Sequence, residues 1–341
     1  MKLIRTEDAV GQVLCHDITQ IIKGVCKGPA FRKGHIVTAE DIPVLLSIGK
    51  DKLYIWEKDE HMLHEDEAAD ILRSLCQSDH MHASEAKEGK IELFADTDGL
   101  LLIDIEKLRA INALGDMMIA TRPSGFMVKK GNKLCGTRVI PLVIAKERME
   151  KARKIAGQEA FMRLLPTQPK KFGLVTTGNE VYYGRIKDTF TPVVQEKLAE
   201  FGCEMTEHVT LNDDPEKIST AIKKMLEHGC EMVFCTGGMS VDPDDTTPLA
   251  IRLSGANIVA YGAPVLPGAM FLLSYAHDGR PICGLPGCVM YARRTIFDLV
   301  LPYLLTDTVL TGEWLAGLGN GGLCLNCPDC HFPNCSFGKG R

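Results

Sequence analysis

The sequence predicts an α/β protein: a three-layer α/β/α sandwich on a mostly parallel sheet, with a smaller β-rich region ahead of it. Three observations predict it. From Lys171 onward, apolar runs of strand length alternate with amphipathic helical stretches, a pattern that builds a parallel sheet covered by helices through right-handed crossovers. One of those helices is fully punctuated, with Asp214 at the N-cap, Pro215 in the first turn and Gly229 past the end. Glycine-bearing loops also leave three of the strands, where such sheets place their ligand crevice.

Taken in order, residues 1–60 read as short β-rich pieces, with a helix from Thr38 to near Gly49 and then the strand LYIW. Residues 61–145 form a second small α+β region. Its helix HMLHEDEAADILRSLC sets Leu63, Ala68, Ile71, Leu72 and Leu75 on roughly one face, and His61, His64, His80 and His82 read as a solvated face and loop rather than a metal site. The stretch GFMVKKGNKLCGTRVIPLVI reads as a β-hairpin turning at KKGNK. Residues 146–170 read as a charged connecting helix closed by Pro166 and Pro169.

The α/β domain spans 171–310. Strands FGLVT, MTEHVTL, EMVFC, NIVAY, FLLSY and PICG alternate with helices TPVVQEKLAEFG, PEKISTAIKKMLE and TPLAIRLSG, and a long helix is predicted over 288–305. In the second helix Ile218, Ile222, Met225 and Leu226 share one stripe.

Three loops carry unusual chemistry: TTGNE (176–180), TGGMSVDPDD (236–245) and GLPGC (284–288). Gly237 and Gly238 lack Cβ atoms, which opens backbone N–H groups to a ligand. Thr236 and Ser240 offer hydroxyls to phosphate oxygens, and the helix start at Thr247-Pro248 adds a positive dipole end. Carboxylates beside an anion cradle make sense when a divalent cation lies between, which makes Asp188, Asp242 and Asp245 candidate Mg²⁺ ligands.

At these residues the chain resembles the molybdopterin-binding domain shared by MoeA-type molybdopterin molybdenumtransferases and MogA-type adenylyltransferases, from about Lys171 to Leu305. TTGNEVYYGRIKDT, TGGMSVDPDDTTP and GLPG stand in the matching order and spacing. VGQVLCHDI and FRKGHIVTAEDIPVLLSIGKDKLYI resemble the N-terminal region of MoeA proteins more loosely. The resemblance implies that molybdopterin or adenylyl-molybdopterin is bound with Mg²⁺, with molybdate as a further substrate. It implies ligand-binding roles for Thr177, Gly178, Glu180, Thr236, Gly237, Gly238, Ser240, Gly284, Pro286 and Gly287. Asp188 and Asp245 are the implied catalytic acids, and a homodimer is the implied assembly.

The departures are specific. No SAMDGYA-like segment is present, the lysine-bearing PGKP element reads VLPGAMF, an expected acid is Pro243, and Cys288-Val289 follows GLPG in place of Asn-Pro. Missing cations weaken anion transfer more than ligand binding. A non-enzymatic carrier or sensor module therefore stands beside the transferase reading. VDPDDTTP (241–248) also resembles the corresponding stretch of CinA-type proteins, which hydrolyse nucleotide pyrophosphates.

Residues 311–341 read as a cysteine-rich metal-binding tail. Cys324, Cys327, Cys330 and Cys335 follow C-x2-C-x2-C-x4-C within twelve residues, a spacing that suits Zn²⁺ or an iron–sulfur cluster, with His331 as an alternative zinc ligand. Clustered cysteines in a reducing compartment point to metal rather than disulfides. The chain has 341 residues, 45% of them hydrophobic, and a net charge of −5, so no basic surface suggests nucleic acid. No apolar stretch of membrane-spanning length and no signal-peptide pattern occurs, so a cytoplasmic protein is expected.

Overall fold

The computed structural model describes residues 2–22, 26–55, 59–240 and 245–340. The chain divides into two compact units, one of residues 1–96, 103–122 and 131–163 and one of 97–102, 123–130 and 164–341. No helix among the described residues is long and apolar enough to cross a membrane.

The first unit is built from small antiparallel sheets. Strand Lys2–Arg5 pairs with Lys52–Ile55, beside a short helix Asp41–Ser47. A four-stranded sheet places Lys133–Val139 between Lys90–Ala95 and Met117–Thr121. Packed against it is helix Glu65–Cys76, which buries Ala68, Ala69, Leu72 and Leu75. His64 caps that helix: its ring accepts from the Asp66 amide while the Glu67 carboxylate accepts from the His64 amide. The predicted hairpin does not form. Phe126–Val128 belongs to the second unit, where it pairs with Gly99–Ile103. The predicted charged helix ends at Ala156, before Gly157 in left-handed backbone, and Met162–Pro166 is a strand.

Glu65 opens the helix nearly out of solvent, at 8% exposure. Burial, and next the Asp66 charge, raise its carboxyl from 4.5 to about 7. The folded state therefore keeps a proton that the unfolded chain gives up. The resulting stability is complete below pH 4.5 and disappears as pH rises through 7. Glu65→Gln is expected to match the parent at pH 4 and to exceed it by up to about 3 kcal/mol at pH 8, measured by denaturant unfolding. An equal difference at both pH values would refute this.

The second unit carries the predicted sandwich. Its strands are β1 (Lys171–Thr177), β2 (Glu204–Leu211), β3 (Met232–Thr236), β4 (Asn257–Tyr261), β5 (Leu272–Tyr275) and β6 (Pro281–Leu285). They lie in the order β2-β1-β3-β6-β5-β4, with β2, β1, β3 and β6 parallel and β5 antiparallel to both neighbours. Helices are α1 (Phe190–Ala199), α2 (Pro215–Glu227), α3 (Thr247–Leu253), α4 (Ile296–Leu304) and α5 (Gly312–Gly317).

Alternation along each strand sorts side chains to two faces. Phe172, Leu174, Phe234, Cys283 and Leu285 meet Val194 and Leu198 of α1, the apolar residues of α4 and Leu315 of α5. Val175, Val233, Cys235 and Ile282 meet Ile218, Ile222 and Met225 of α2 and Ala250 and Ile251 of α3. Three layers result. The predicted long helix over 288–305 is broken: a 3₁₀ turn, Gly287–Met290, precedes α4, whose N-cap Thr295 forms a capping box with Asp298.

Candidate functional site

Register brings the three loops together. Thr176 of β1 lies opposite Thr236 of β3, and Thr236 lies opposite Leu285 of β6. All three strands are parallel neighbours, so the segments beginning at 178, 237 and 286 leave one rim side by side. Thr189 Oγ1 donates to Met290 Sδ at 2.8 Å, linking the first loop to the turn after the third.

The glycines of the second loop serve the chain's own packing. Gly237 has φ +84°, and a Cβ there would stand 2.1 Å from the Thr177 carbonyl oxygen. At Gly238 it would stand 2.8 Å from Thr247 Oγ1. That hydroxyl donates to the Gly237 carbonyl at 2.9 Å and lies 3.2 Å from Thr177 Oγ1. The space left by the missing Cβ atoms is therefore filled by protein. Gly284 lies inside β6, and its Cβ would meet Met239 at 2.5 Å. At Gly287, by contrast, a Cβ would meet nothing within 4 Å.

Thr177 and Thr236 are buried beneath the rim, whereas Ser240, Glu180 and Gly287 are exposed on it. Pro286 is buried behind Gly287, and Gly178 sits beside the Glu180 carboxylate, 3.0 Å from where its Cβ would lie. Thr236 Oγ1 is the one buried side-chain N or O atom among the described residues with no hydrogen-bond partner. It stands at the root of the central loop.

The acids have separate surroundings. Asp188 Oδ1 accepts from the amides of Phe190 and Thr191 at 2.8 and 3.1 Å, and Oδ2 accepts from Thr191 Oγ1 at 2.5 Å and Thr176 Oγ1 at 3.4 Å. His208 Nε2 lies 3.9 Å away. Burial works against ionisation of Asp188, but the bonds from Thr191 and Phe190 outweigh it and hold its pKa below the ordinary carboxylate value. These donors occupy the lone pairs a cation would need, so Asp188 holds the start of α1 and does not fit as a Mg²⁺ ligand.

Asp245 lies near Tyr261, whose phenol pKa is raised by burial and next by that carboxylate. The Tyr261 hydroxyl donates to the carbonyls of Met239 and Ser240 at 2.9 and 3.2 Å. Asp242 falls outside the described residues. Among those described, no three His, Cys, Asp or Glu side chains gather closely enough to hold an ion, which applies equally to the tail cysteines.

The predicted dipole at Thr247-Pro248 is slight. Helix α3 has seven residues, and the Thr247 amide is bonded to the Gly238 carbonyl. Sequence reasoning missed several rim residues. Asp213 accepts from the Asn179 amide at 2.9 Å, and its carbonyl accepts from Thr246 Oγ1 at 3.1 Å, tying the first and second loops to the end of β2. Their hydroxyls and amides give no periodic signal. Only Asp188, two residues before Phe190, carries a readable one, that of a capping Asp.

Residues 173–306 match a family described as a probable molybdopterin binding domain, and residues 3–57 match a domain of unknown function. A molybdopterin molybdenumtransferase of Synechococcus elongatus is 26% identical over 188 residues, covering 51% of this chain and 46% of the relative. A CinA-like protein of Mycobacterium tuberculosis is 34% identical over 89 residues, covering 26% of this chain and 20% of the relative. The chain thus spans less than half the length of these curated relatives. Among solved structures, the molybdopterin biosynthesis enzyme MoaB of Thermus thermophilus is similar at 21% identity and TM-score 0.34, covering 42% of this chain and 98% of that one. A molybdenum cofactor biosynthesis protein of Pyrococcus furiosus aligns at 13% identity and TM-score 0.28, with 92% and 66% covered.

Proposed function

We propose, from the match of residues 173–306 to a probable molybdopterin binding domain, that the rim of β1, β3 and β6 binds molybdopterin or its adenylylated form as substrate. The observation that carries this reading is the register that sets three glycine-bearing loops side by side, with the unpartnered Thr236 hydroxyl at the root of the middle one. The terminal phosphate lies against the Gly237–Ser240 loop. Exposed Ser240, Glu180 and the open face at Gly287 meet the rest of the ligand. Mg²⁺ belongs to this reading through Asp245 and Asp242, with Asp188 positioning the first loop. Transfer of molybdate onto the dithiolene is the activity the reading carries. We also assign metal binding to the four tail cysteines.

A buried hydroxyl without a partner costs about 1–3 kcal/mol. Thr236→Val removes that cost in the free protein and removes a partner from the bound one. The variant is expected to melt at higher temperature than the parent while binding molybdopterin several-fold more weakly, read by thermal unfolding with and without ligand. Equal affinity of variant and parent would show that Thr236 does not serve the ligand.

The reading as a whole is tested by anaerobic purification, mass spectrometry of bound small molecules and titration with molybdopterin. A bound pterin is the expected result. The CinA-like match favours a second reading, hydrolysis of nucleotide pyrophosphates. Magnesium-dependent cleavage of ADP-ribose by a protein that ignores the pterin would replace the first reading with that one. Tight pterin binding without molybdate insertion would make the chain a carrier or sensor module.

A further inference from the structure

Cys324, Cys327, Cys330 and Cys335 line one cavity of about 500 Å³ together with Arg293 and Arg294. The chain around it is fixed in place. The Leu266 amide donates to the Gly322 carbonyl and the Cys324 amide to the Leu266 carbonyl, both at 2.8 Å. Arg293 donates to the Pro328 carbonyl at 2.8 Å. The Arg294 guanidinium stacks over Phe332 at 5.1 Å, and Phe332 packs on Phe337, which is 2% exposed within the core. The tail is thus part of the folded unit, and its thiols are free.

Two features discriminate between a single ion and a cluster. Zinc needs sulfurs drawn to about 2.3 Å from one point, hence within about 4 Å of each other. The four cysteines instead line a cavity much larger than one ion. An inorganic core of iron and sulfide fills such a space and reaches thiolates held farther apart. The cations also fit. A cluster with four thiolate ligands is anionic, and N–H donors to its sulfurs stabilise it and set its potential. Arg294 supplies such a donor to Cys330, and Asp298 fixes its position at 2.8 Å.

We propose that Cys324, Cys327, Cys330 and Cys335 ligate a [4Fe–4S] cluster in this cavity, with Arg294 as a positioning donor to the Cys330 sulfur. The proposal rests on the assignment of tail metal binding above and is independent of the pterin reading.

The test uses the full chain, purified without oxygen and reconstituted with ferric iron, sulfide and excess thiol, the thiol reducing half of the iron to give the mixed-valence core. Iron, zinc and acid-labile sulfide are counted, and visible absorption and paramagnetic resonance after reduction are recorded. About four irons and four sulfides per chain are expected. Cys327 and Cys330 are exposed, so the pair C327S and C330S is expected to keep the parent melting temperature and lose most of the iron. Arg294→Gln is expected to keep its iron and shift the midpoint potential to more negative values. Stoichiometric zinc without sulfide would overturn the cluster and leave metal binding standing. A protein that takes up neither metal would overturn both. Bound pterin is measured on the same samples, so its presence or absence is read separately.

Discussion

Gly237→Ala is expected to destabilise the α/β unit by about 3 kcal/mol or more and to abolish pterin binding. The new Cβ would sit 2.1 Å from the Thr177 carbonyl oxygen and 2.9 Å from Thr177 Oγ1. Real contacts of that kind do not occur, and the target is backbone rather than a flexible side chain. Thr177 ends β1 and is held in register with Leu211 of β2, so it has little freedom to withdraw. A φ of +84° adds the cost of left-handed backbone, about 1–2 kcal/mol for a residue with a Cβ. The loop would then have to move, breaking the bond from Thr247 Oγ1 to the Gly237 carbonyl and that from the Thr247 amide to the Gly238 carbonyl. Gly287→Ala is the control: its Cβ meets nothing within 4 Å, and a stability change within about 0.5 kcal/mol is expected. Denaturant unfolding and ligand titration of both variants separate the two sites. Equal stability losses at Gly237 and Gly287 would mean that the Thr177 contact is not made.

The sheet and its helices were legible because their signals are local. Asp214, Pro215 and Gly229 bound α2 as read, since caps and a 3.6-residue stripe depend on neighbours in sequence. Pairing choices were not. Nothing within GFMVKKGNKLCGTRV reveals that Phe126 pairs with Leu101 while Cys135 pairs with Leu93 and Thr121. Hairpin turns are a local cue, whereas strand partners are decided by packing across the chain. The break before α4 was readable, because Thr295 followed by Asp298 is a capping box; the apolar run around it masked the cue.

The candidate site was half legible. Glycines and acids in loops at strand ends located the rim, and register alone showed that three of them adjoin. Composition could not say that the Gly237 and Gly238 gaps are filled by Thr177 and Thr247, nor that Asp188 has its oxygens taken by Phe190, Thr191 and Thr176. Both outcomes depend on where side chains from distant positions arrive.

Asp298→Ala is expected to cost about 3–5 kcal/mol, because it strips a buried charge from two cations at once. The Asp298 side chain is 5% exposed and Lys197 12%. Asp298 Oδ1 accepts from Lys197 Nζ and from Arg294 Nη1, each at 2.8 Å, and Oδ2 accepts from the Thr295 amide at 2.8 Å. The alanine leaves Lys197 desolvated with only the Arg293 carbonyl at 3.0 Å, and it removes half of the α4 capping box. Lys197→Met is expected to cost less, since Arg294 still neutralises the carboxylate and the methionine stem fills the same apolar path. The ordering of the two variants is therefore the informative result, and denaturant unfolding of each measures it. A second readout follows from Arg294, which Asp298 aims toward Phe332 and Cys330. Losing the aspartate frees that guanidinium, so the midpoint potential of the tail cluster is expected to shift to more negative values in Asp298→Ala, as in Arg294→Gln, and not in Lys197→Met. If both variants lose stability equally, Lys197 rather than Arg294 carries the pairing; if neither variant shifts the potential, Arg294 does not depend on Asp298 to reach the tail.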